Sequence, residues 1–340
     1  MSTALSPGHS SRTLADRLQD ILEHSGVADP VVQPLLQRAL YGPLRTFLTR
    51  PGKGFRGQLV ELTYELAGGE SPLPDELPLL IECLHAGSLI IDDIQDGSEQ
   101  RRGAPSLHRQ LGVPLALNAG NFLYFVPQYL LTQARLSATV QQRIQARLGQ
   151  CMLCCHQGQA LDLSVRLPQV APADIPRVAE QVSALKTGAL MGFAAALGAL
   201  AAGAAEATVD RLQRFGEQAG VALQMLDDLS GVLNPKHAAR GLEDLQELRV
   251  TWAWACLAHE LGEGGRQRPL LEDALAVEGE SALLGLLDRM RFPLAGHGHE
   301  RIRGQLDGAR MVLAEGGIGG AALRQVEQAL AALERRFLEG

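Results

Sequence analysis

Between Gly188 and Ala205 the chain carries no charged residue and is built mostly of Ala and Gly. An uncharged run of that length is either a membrane span or a helix sealed inside a protein. Ala and Gly gain little on transfer into lipid compared with Leu or Ile. The expectation is therefore a tightly packed internal helix and no membrane span. A helix that is apolar on every side must be surrounded, and the composition says by what. Hydrophobic residues make up 46% of the chain and aromatics only 4%. Alternating runs of Val, Ile and Thr are nearly absent, which argues against sheet. The predicted fold class is all-α, a single-domain bundle of roughly ten or more helices.

Residues 1–13 are rich in Ser, Thr, Gly and Pro and read as a flexible N-terminal segment, leaving 14–340 as one helical domain. Apolar residues at helical spacing predict helices at Leu14–Glu23, Glu76–Asp96, Val113–Ala134, Ala138–Leu163 and Asp174–Ala202. Further helices are predicted at Ala207–Leu233, Asp244–Leu261, Leu271–Ala276, Ser281–Arg289 and His299–Leu338. The breaks fall at Gly, Pro or short polar runs, such as Gly103-Ala104-Pro105. Ser106 and Asp174 suit N-caps, with Pro176 in the first turn after Asp174.

A net charge of −7 gives no reason to expect a nucleic-acid partner. The five cysteines are an odd number without a disulfide spacing, and no signal peptide is visible; a reducing cytoplasm is the expected setting. Cys151-x-x-Cys154-Cys155-His156 has no second pair nearby and lies on a predicted helix, so these read as core cysteines rather than zinc ligands. Trp252 and Trp254 read as core or contact residues, and His237 and the His297–His299 pair as loop residues.

The sequence Asp92-Asp93-Ile94-Gln95-Asp96 closes the apolar run Leu89-Ile90-Ile91. Asp92 and Asp96 are four apart and share a helix face. Like charges stacked there repel unless a divalent cation bridges them, and an oxygen-only donor set suits Mg2+ completed by waters and phosphates. Arg101 and Arg102 follow within two turns, either as plain ion pairs or as forks for a diphosphate. Asp227 and Asp228 follow another apolar run, but the position four after Asp227 is Gly231. The expected geometry sets the two acidic helix ends at the mouth of a central substrate cavity. That cavity would be lined in its depth by apolar stretches, for a ligand with a charged head and a hydrocarbon tail.

These residues resemble the trans-prenyl diphosphate synthases, most closely the eukaryotic-type geranylgeranyl diphosphate synthases, in order from about Leu35 to Thr251. Pro51-Gly52-Lys53-Gly54-Phe55-Arg56 and His85 resemble that family's isopentenyl diphosphate grip. Asp92, Asp93, Asp96, Arg101 and Arg102 resemble its first aspartate-rich motif and arginine pair. Gly158-Gln159-Ala160-Leu161-Asp162, Lys186-Thr187-Gly188 and Leu223-Gln224 with Asp227-Asp228 resemble three further signatures. Two positions depart from the pattern. The third Asp of the second motif is Gly231, and the later Lys appears as Arg249, with Arg240 or Lys236 as candidates for a second tail-side cation.

The resemblance implies the isoprenoid synthase fold, a homodimer and Mg2+ held by Asp92, Asp93, Asp96, Asp227 and Asp228. It also implies condensation of isopentenyl diphosphate with an allylic diphosphate. Catalytic roles fall to Asp92, Asp96, Lys186, Thr187, Gln224 and Asp227. Substrate binding falls to Gly52, Lys53, Arg56, His85, Arg101, Arg102, Arg240 and Arg249. Gly87 and Ser88, small residues before Asp92, would let a tail grow, with Tyr124 and Phe125 as the next barrier and a twenty-carbon product expected. A terpene cyclase-like enzyme would not need Lys53, Arg56 and His85. A non-catalytic partner subunit would typically lack the first Asp cluster.

Overall fold

Helices carry almost every apolar run that the sequence offers. The computed structural model describes residues 29–50, 54–261, 265–276 and 279–315, with isolated positions nearer the termini. The expected flexible segment 1–13, most of Leu14–Glu23, and the end of the last predicted helix lie outside the described residues. Contacts group the described residues into two compact units. The first holds those up to Gln58 together with Pro72–Gln141, and the second holds Leu59–Ser71 and those from Gln142 onward.

In the first unit, α1 (Val32–Leu36) passes through a π-turn at Gln37–Tyr41 into α2 (Gly42–Leu48), and α3 (Phe55–Leu66) begins here. Then follow α4 (Glu76–Gln95), a hairpin of β1 (Gln100–Arg101) and β2 (Ala104–Pro105), α5 (Leu107–Leu111) and α6 (Val113–Gln133). Leu77, Leu80, Ile81, Leu84 and Ile90 bury one face of α4, which packs chiefly on α6. Gly87 and Gly120 let the two helices close in: a Cβ on Gly87 would stand 3.0 Å from the carbonyl oxygen of Gly120. The hairpin was not foreseen, because Gly103-Ala104-Pro105 reads only as a break. Its two turn residues, Arg102 (φ 55) and Gly103 (φ 74), both take the left-handed conformation that a two-residue hairpin demands. Ser106 precedes α5 with extended dihedrals, but its hydroxyl donates to the carbonyl of Ser98 at 2.6 Å instead of capping the helix.

Most of α7 (Ala138–Ser164) lies in the second unit. It leads to α8 (Ile175–Ser183), a π-turn at Ala184–Gly188, α9 (Ala189–Ala201) and α10 (Glu206–Leu233). Next come α11 (Ala238–Gln246), α12 (Trp252–Leu257), α13 (Arg268–Ala276) and α14 (Glu280–Ala314). The opening expectation concerned α9, where every residue from Leu190 to Leu200 is buried. Met191, Phe193, Leu197 and Leu200 are all at most 2% exposed; burying each contributes about 1.5–3 kcal/mol. The run Pro172–Ala201 is long and apolar enough to cross a membrane by length and composition, yet 72% of its most apolar window is buried inside the protein. Gly192, Gly216 and Gly220 bring α9 and the preceding π-turn against α10 with no room for a Cβ.

Four predicted helices come out differently. Asp174–Ala202 is interrupted by the π-turn, and Asp174 makes no side-chain cap. Asp244–Leu261 is split, because Leu248 (φ 52) turns the chain out of helix between α11 and α12. The break expected after Arg289 does not occur, and α14 continues through Pro293. The carbonyl that Pro293 leaves without an in-helix donor belongs to exposed Arg289, where water can pair it. His297 and His299 are therefore helical rather than in loops, and His237 sits in a short 3-10 turn. Trp252 and Trp254 are buried as expected.

Candidate functional site

The first unit gathers its candidates on α4, α6, the start of α3 and the hairpin. Asp92 and Asp93 sit in the last turn of α4 and Asp96 is its C-cap. Helix geometry turns the three apart. Asp92 and Asp96 share the partly exposed face, whereas Asp93 faces inward at 0% exposure. Arg101 donates from Nε to Asp93 Oδ1 at 2.7 Å and reaches the same oxygen with Nη2. Burial pushes the Asp93 carboxyl up from its ordinary range, and Arg101 opposes that shift.

Arg56 Nη1 lies 3.1 Å from Nε2 of His85, so the guanidinium donates to a neutral imidazole. Burial, then the positive charges of Arg56, Arg102 and Arg101, hold the His85 pKa well below its ordinary value. Glu82 accepts from the Gly57 backbone at 3.1 Å. Gly52 and Lys53, expected beside Arg56, lie outside the described residues. Ser88 donates to the carbonyl of His85 at 2.8 Å. Tyr124 adjoins Gly87, with its ring Cδ1 3.2 Å from where a Cβ of residue 87 would sit. Phe125 is 68% exposed; one residue along a helix it points some 100° away, so Tyr124 alone of the expected pair stands against Gly87.

The second unit joins its candidates in a chain of hydrogen bonds. The π-turn presents Lys186 and Thr187 one after the other, a distortion often found at functional positions. Thr187 Oγ1 donates to Gln224 Oε1 at 2.7 Å, Gln224 Nε2 donates to Asp228 Oδ1 at 2.7 Å, and the Trp252 backbone N–H donates to Asp228 Oδ2 at 3.0 Å. Both oxygens of Asp228 are thus engaged, and burial still raises its pKa to about 6. Asp227, one position earlier and like Asp228 partly exposed, is paired with Arg240.

Asp162, which closes the Gly158-to-Asp162 signature, was not singled out as a site residue. Its Oδ2 lies 2.7 Å from Lys186 Nζ and 3.7 Å from Arg249 Nη1. Gly158 makes this possible, since a Cβ there would sit 2.6 Å from the Lys186 backbone nitrogen. Arg249 is held from the other side, in the irregular segment after α11: Arg166 and Arg249 form an isolated bridge, and the Leu167 N–H donates to the Leu248 carbonyl at 2.9 Å. Asp244, also missed, is pushed up to about 7 by burial and by Asp228. Asp162 carried no signal beyond closing that signature, and Asp244 none beyond standing five residues before Arg249.

Among the described residues no three His, Cys, Asp or Glu side chains form a ready-made metal cage. Partly exposed carboxylates at a helix end fit Mg2+, which takes one or two protein oxygens and completes its shell with water and phosphate. Asp92 and Asp96 fit that description, and Asp227, partly exposed within α10 six residues before its end, offers a third carboxylate. Asp93 and Asp228, each held by internal donors, fit it poorly.

The sequence model of the polyprenyl synthetase family matches residues 37–282. A geranylgeranyl pyrophosphate synthase of Penicillium crustosum is 35% identical over 59% of this chain and 57% of its own length. A geranylgeranyl diphosphate synthase of Mycobacterium tuberculosis is 35% identical over 53% of this chain and 51% of its own. The chain thus spans little more than half the length of these curated relatives. Among solved structures, a geranylgeranyl pyrophosphate synthase from Corynebacterium glutamicum, complexed with isoprenyl diphosphate and magnesium, superposes with a TM-score of 0.78 over 96% of this chain and 97% of its own at 22% identity. A decaprenyl diphosphate synthase from Rhodobacter capsulatus gives 0.73 over 96% and 98% at 23%. The last two likenesses establish the fold.

Proposed function

The chain belongs to the polyprenyl synthetase family, and on that footing we propose that it is a Mg2+-dependent prenyltransferase joining isopentenyl diphosphate to an allylic diphosphate. The observation that carries this reading is the pairing of Arg56 with a neutral His85 beside Arg102, a cationic cluster in the same unit as Asp92 and Asp96. Arg56, His85 and Arg102, with Gly52 and Lys53, are assigned to the diphosphate of isopentenyl diphosphate. Asp92, Asp96 and Asp227 are assigned to Mg2+; Asp93 is assigned to fixing Arg101, and Asp228 to fixing Gln224.

Mg2+, when bound, withdraws charge from a diphosphate and improves it as a leaving group. Arg101, Lys186, Arg240 and Arg249 add fixed positive charge. The allylic C–O bond breaks with its electron pair going to the diphosphate. The double bond of isopentenyl diphosphate attacks the resulting allylic cation, and the new carbon–carbon bond leaves a tertiary cation that loses a proton to the released diphosphate. Thr187 takes part through its oxygen lone pairs, because its proton is committed to Gln224. Relatives bearing the geranylgeranyl name support a twenty-carbon product, and we propose a cytoplasmic homodimer. The test is to incubate pure protein with Mg2+, isopentenyl diphosphate and each allylic starter in turn. Diphosphate release with a twenty-carbon product supports the reading; no release with any starter overturns it.

A further inference from the structure

Arg50 stands directly before the Pro51-Gly52-Lys53 segment and belongs to no motif singled out in the sequence. Its guanidinium lies 5.1 Å from the centroid of the buried Phe47 ring and reaches across to the hairpin. Nη1 donates to the carbonyl of Arg101 at 3.1 Å, and Nη2 donates to the carbonyl of Pro105 at 3.0 Å. These carbonyls lie on either side of the turn, one on each strand. The contact is returned, because Arg102 Nη1 approaches the carbonyl of Arg50 at 3.5 Å.

A two-stranded hairpin with two residues per strand is not stable by itself. Arg102 is also a non-glycine residue at φ 55, a conformation that needs outside support. We infer that Arg50 is a positioning residue: its forked clasp on the Arg101 and Pro105 carbonyls holds the hairpin in the shape that aims Arg102 at isopentenyl diphosphate. A planar fork with two parallel donors suits a pair of carbonyls, and a lysine offers only a point charge.

The clasp acts unequally on the two hairpin arginines. Arg101 has a second anchor in Asp93, whereas Arg102 leans on Arg50 itself. Loosening the clasp therefore weakens the isopentenyl side first. This assignment rests on the proposed function, and its test separates the two. Arg50→Met and Arg50→Lys are compared with the unmodified protein for steady-state kinetics, melting temperature and amide exchange. For Arg50→Met the KM for isopentenyl diphosphate rises at least tenfold, while kcat and the allylic KM stay within threefold and the melting temperature within a few degrees. Arg50→Lys falls between. Amide exchange across Gln100–Ser106 quickens at least tenfold in Arg50→Met, and this readout needs no catalysis. Unchanged exchange overturns the clasp even if the unmodified protein is inactive. An unchanged KM for isopentenyl diphosphate, or one that rises only together with the allylic KM and a lost melting transition, overturns the positioning role.

Discussion

Gly231 and Gly241 meet backbone to backbone: a Cβ on Gly231 would stand 3.1 Å from the Gly241 nitrogen, and one on Gly241 would collide with the Gly231 carbonyl. Position 231 is where the resembling family often has a third aspartate. Here the helix α11 is drawn so close to α10 that a side chain has no room. The approach also brings Arg240, the neighbour of Gly241, onto Asp227. Gly231→Asp is therefore expected to lower stability by about 1–3 kcal/mol through overpacking and to reduce kcat rather than raise it. Urea unfolding and turnover measured side by side check this. A variant as stable as the parent and more active would show that the glycine contact is incidental.

The low His85 pKa predicts a pH dependence of stability. A free histidine takes up its proton near pH 6.5, and folded His85 resists doing so until a lower pH. As pH falls below about 6.5 the unfolded chain binds the proton first, so the contribution present above that pH is lost on acidification. His85→Gln keeps an acceptor for Arg56 and cannot protonate. The stability difference between the two proteins should shift by at most about 1.4 kcal/mol per pH unit below 6.5 and stay constant above it. Parallel stability curves from pH 8 to 5 would refute a neutral imidazole in the folded protein.

Asp244 predicts the opposite sign. Its folded pKa stands near 7, above the ordinary carboxylate range. Between about pH 4 and 7 the folded state holds a proton that the unfolded chain has released, so stability falls as pH rises through that window. Asp244→Asn removes this slope. In metal-free protein the variant should exceed its parent in stability above pH 7 and match it near pH 4. A difference independent of pH would mean that Asp244 is not buried with its charge.

Legibility in the sequence followed the range of the forces involved. Helix class and the sealed character of α9 were readable because periodicity and the lack of charge act within one segment. The candidate residues were readable as motifs, but their division of labour was not. Nothing in Asp92-Asp93-Ile94-Gln95-Asp96 says that Arg101 takes the middle carboxylate, because that depends on a hairpin whose turn looked like a simple break. Asp162 and Asp244 acquire meaning only from what lies far away in sequence, Lys186 for one and Asp228 for the other. Arg50 was invisible for the same reason.

Product length is expected to hinge on Tyr124 alone of the proposed pair. Its ring adjoins Gly87, on the side where small residues of α4 would leave a growing tail room, while Phe125 is 68% exposed. Tyr124→Ala should yield products longer than the parent's, since it removes the bulk that a longer tail would otherwise have to displace, a cost of about 1–3 kcal/mol in a filled core. Phe125→Ala should leave the product distribution unchanged. Gly87→Ala should lower stability as well as alter length, because its added methyl would crowd the Gly120 carbonyl. Chromatography of dephosphorylated products from the three variants decides the matter. Lengthening by Phe125→Ala, with none from Tyr124→Ala, would place the floor of the tail site on the other face of α6.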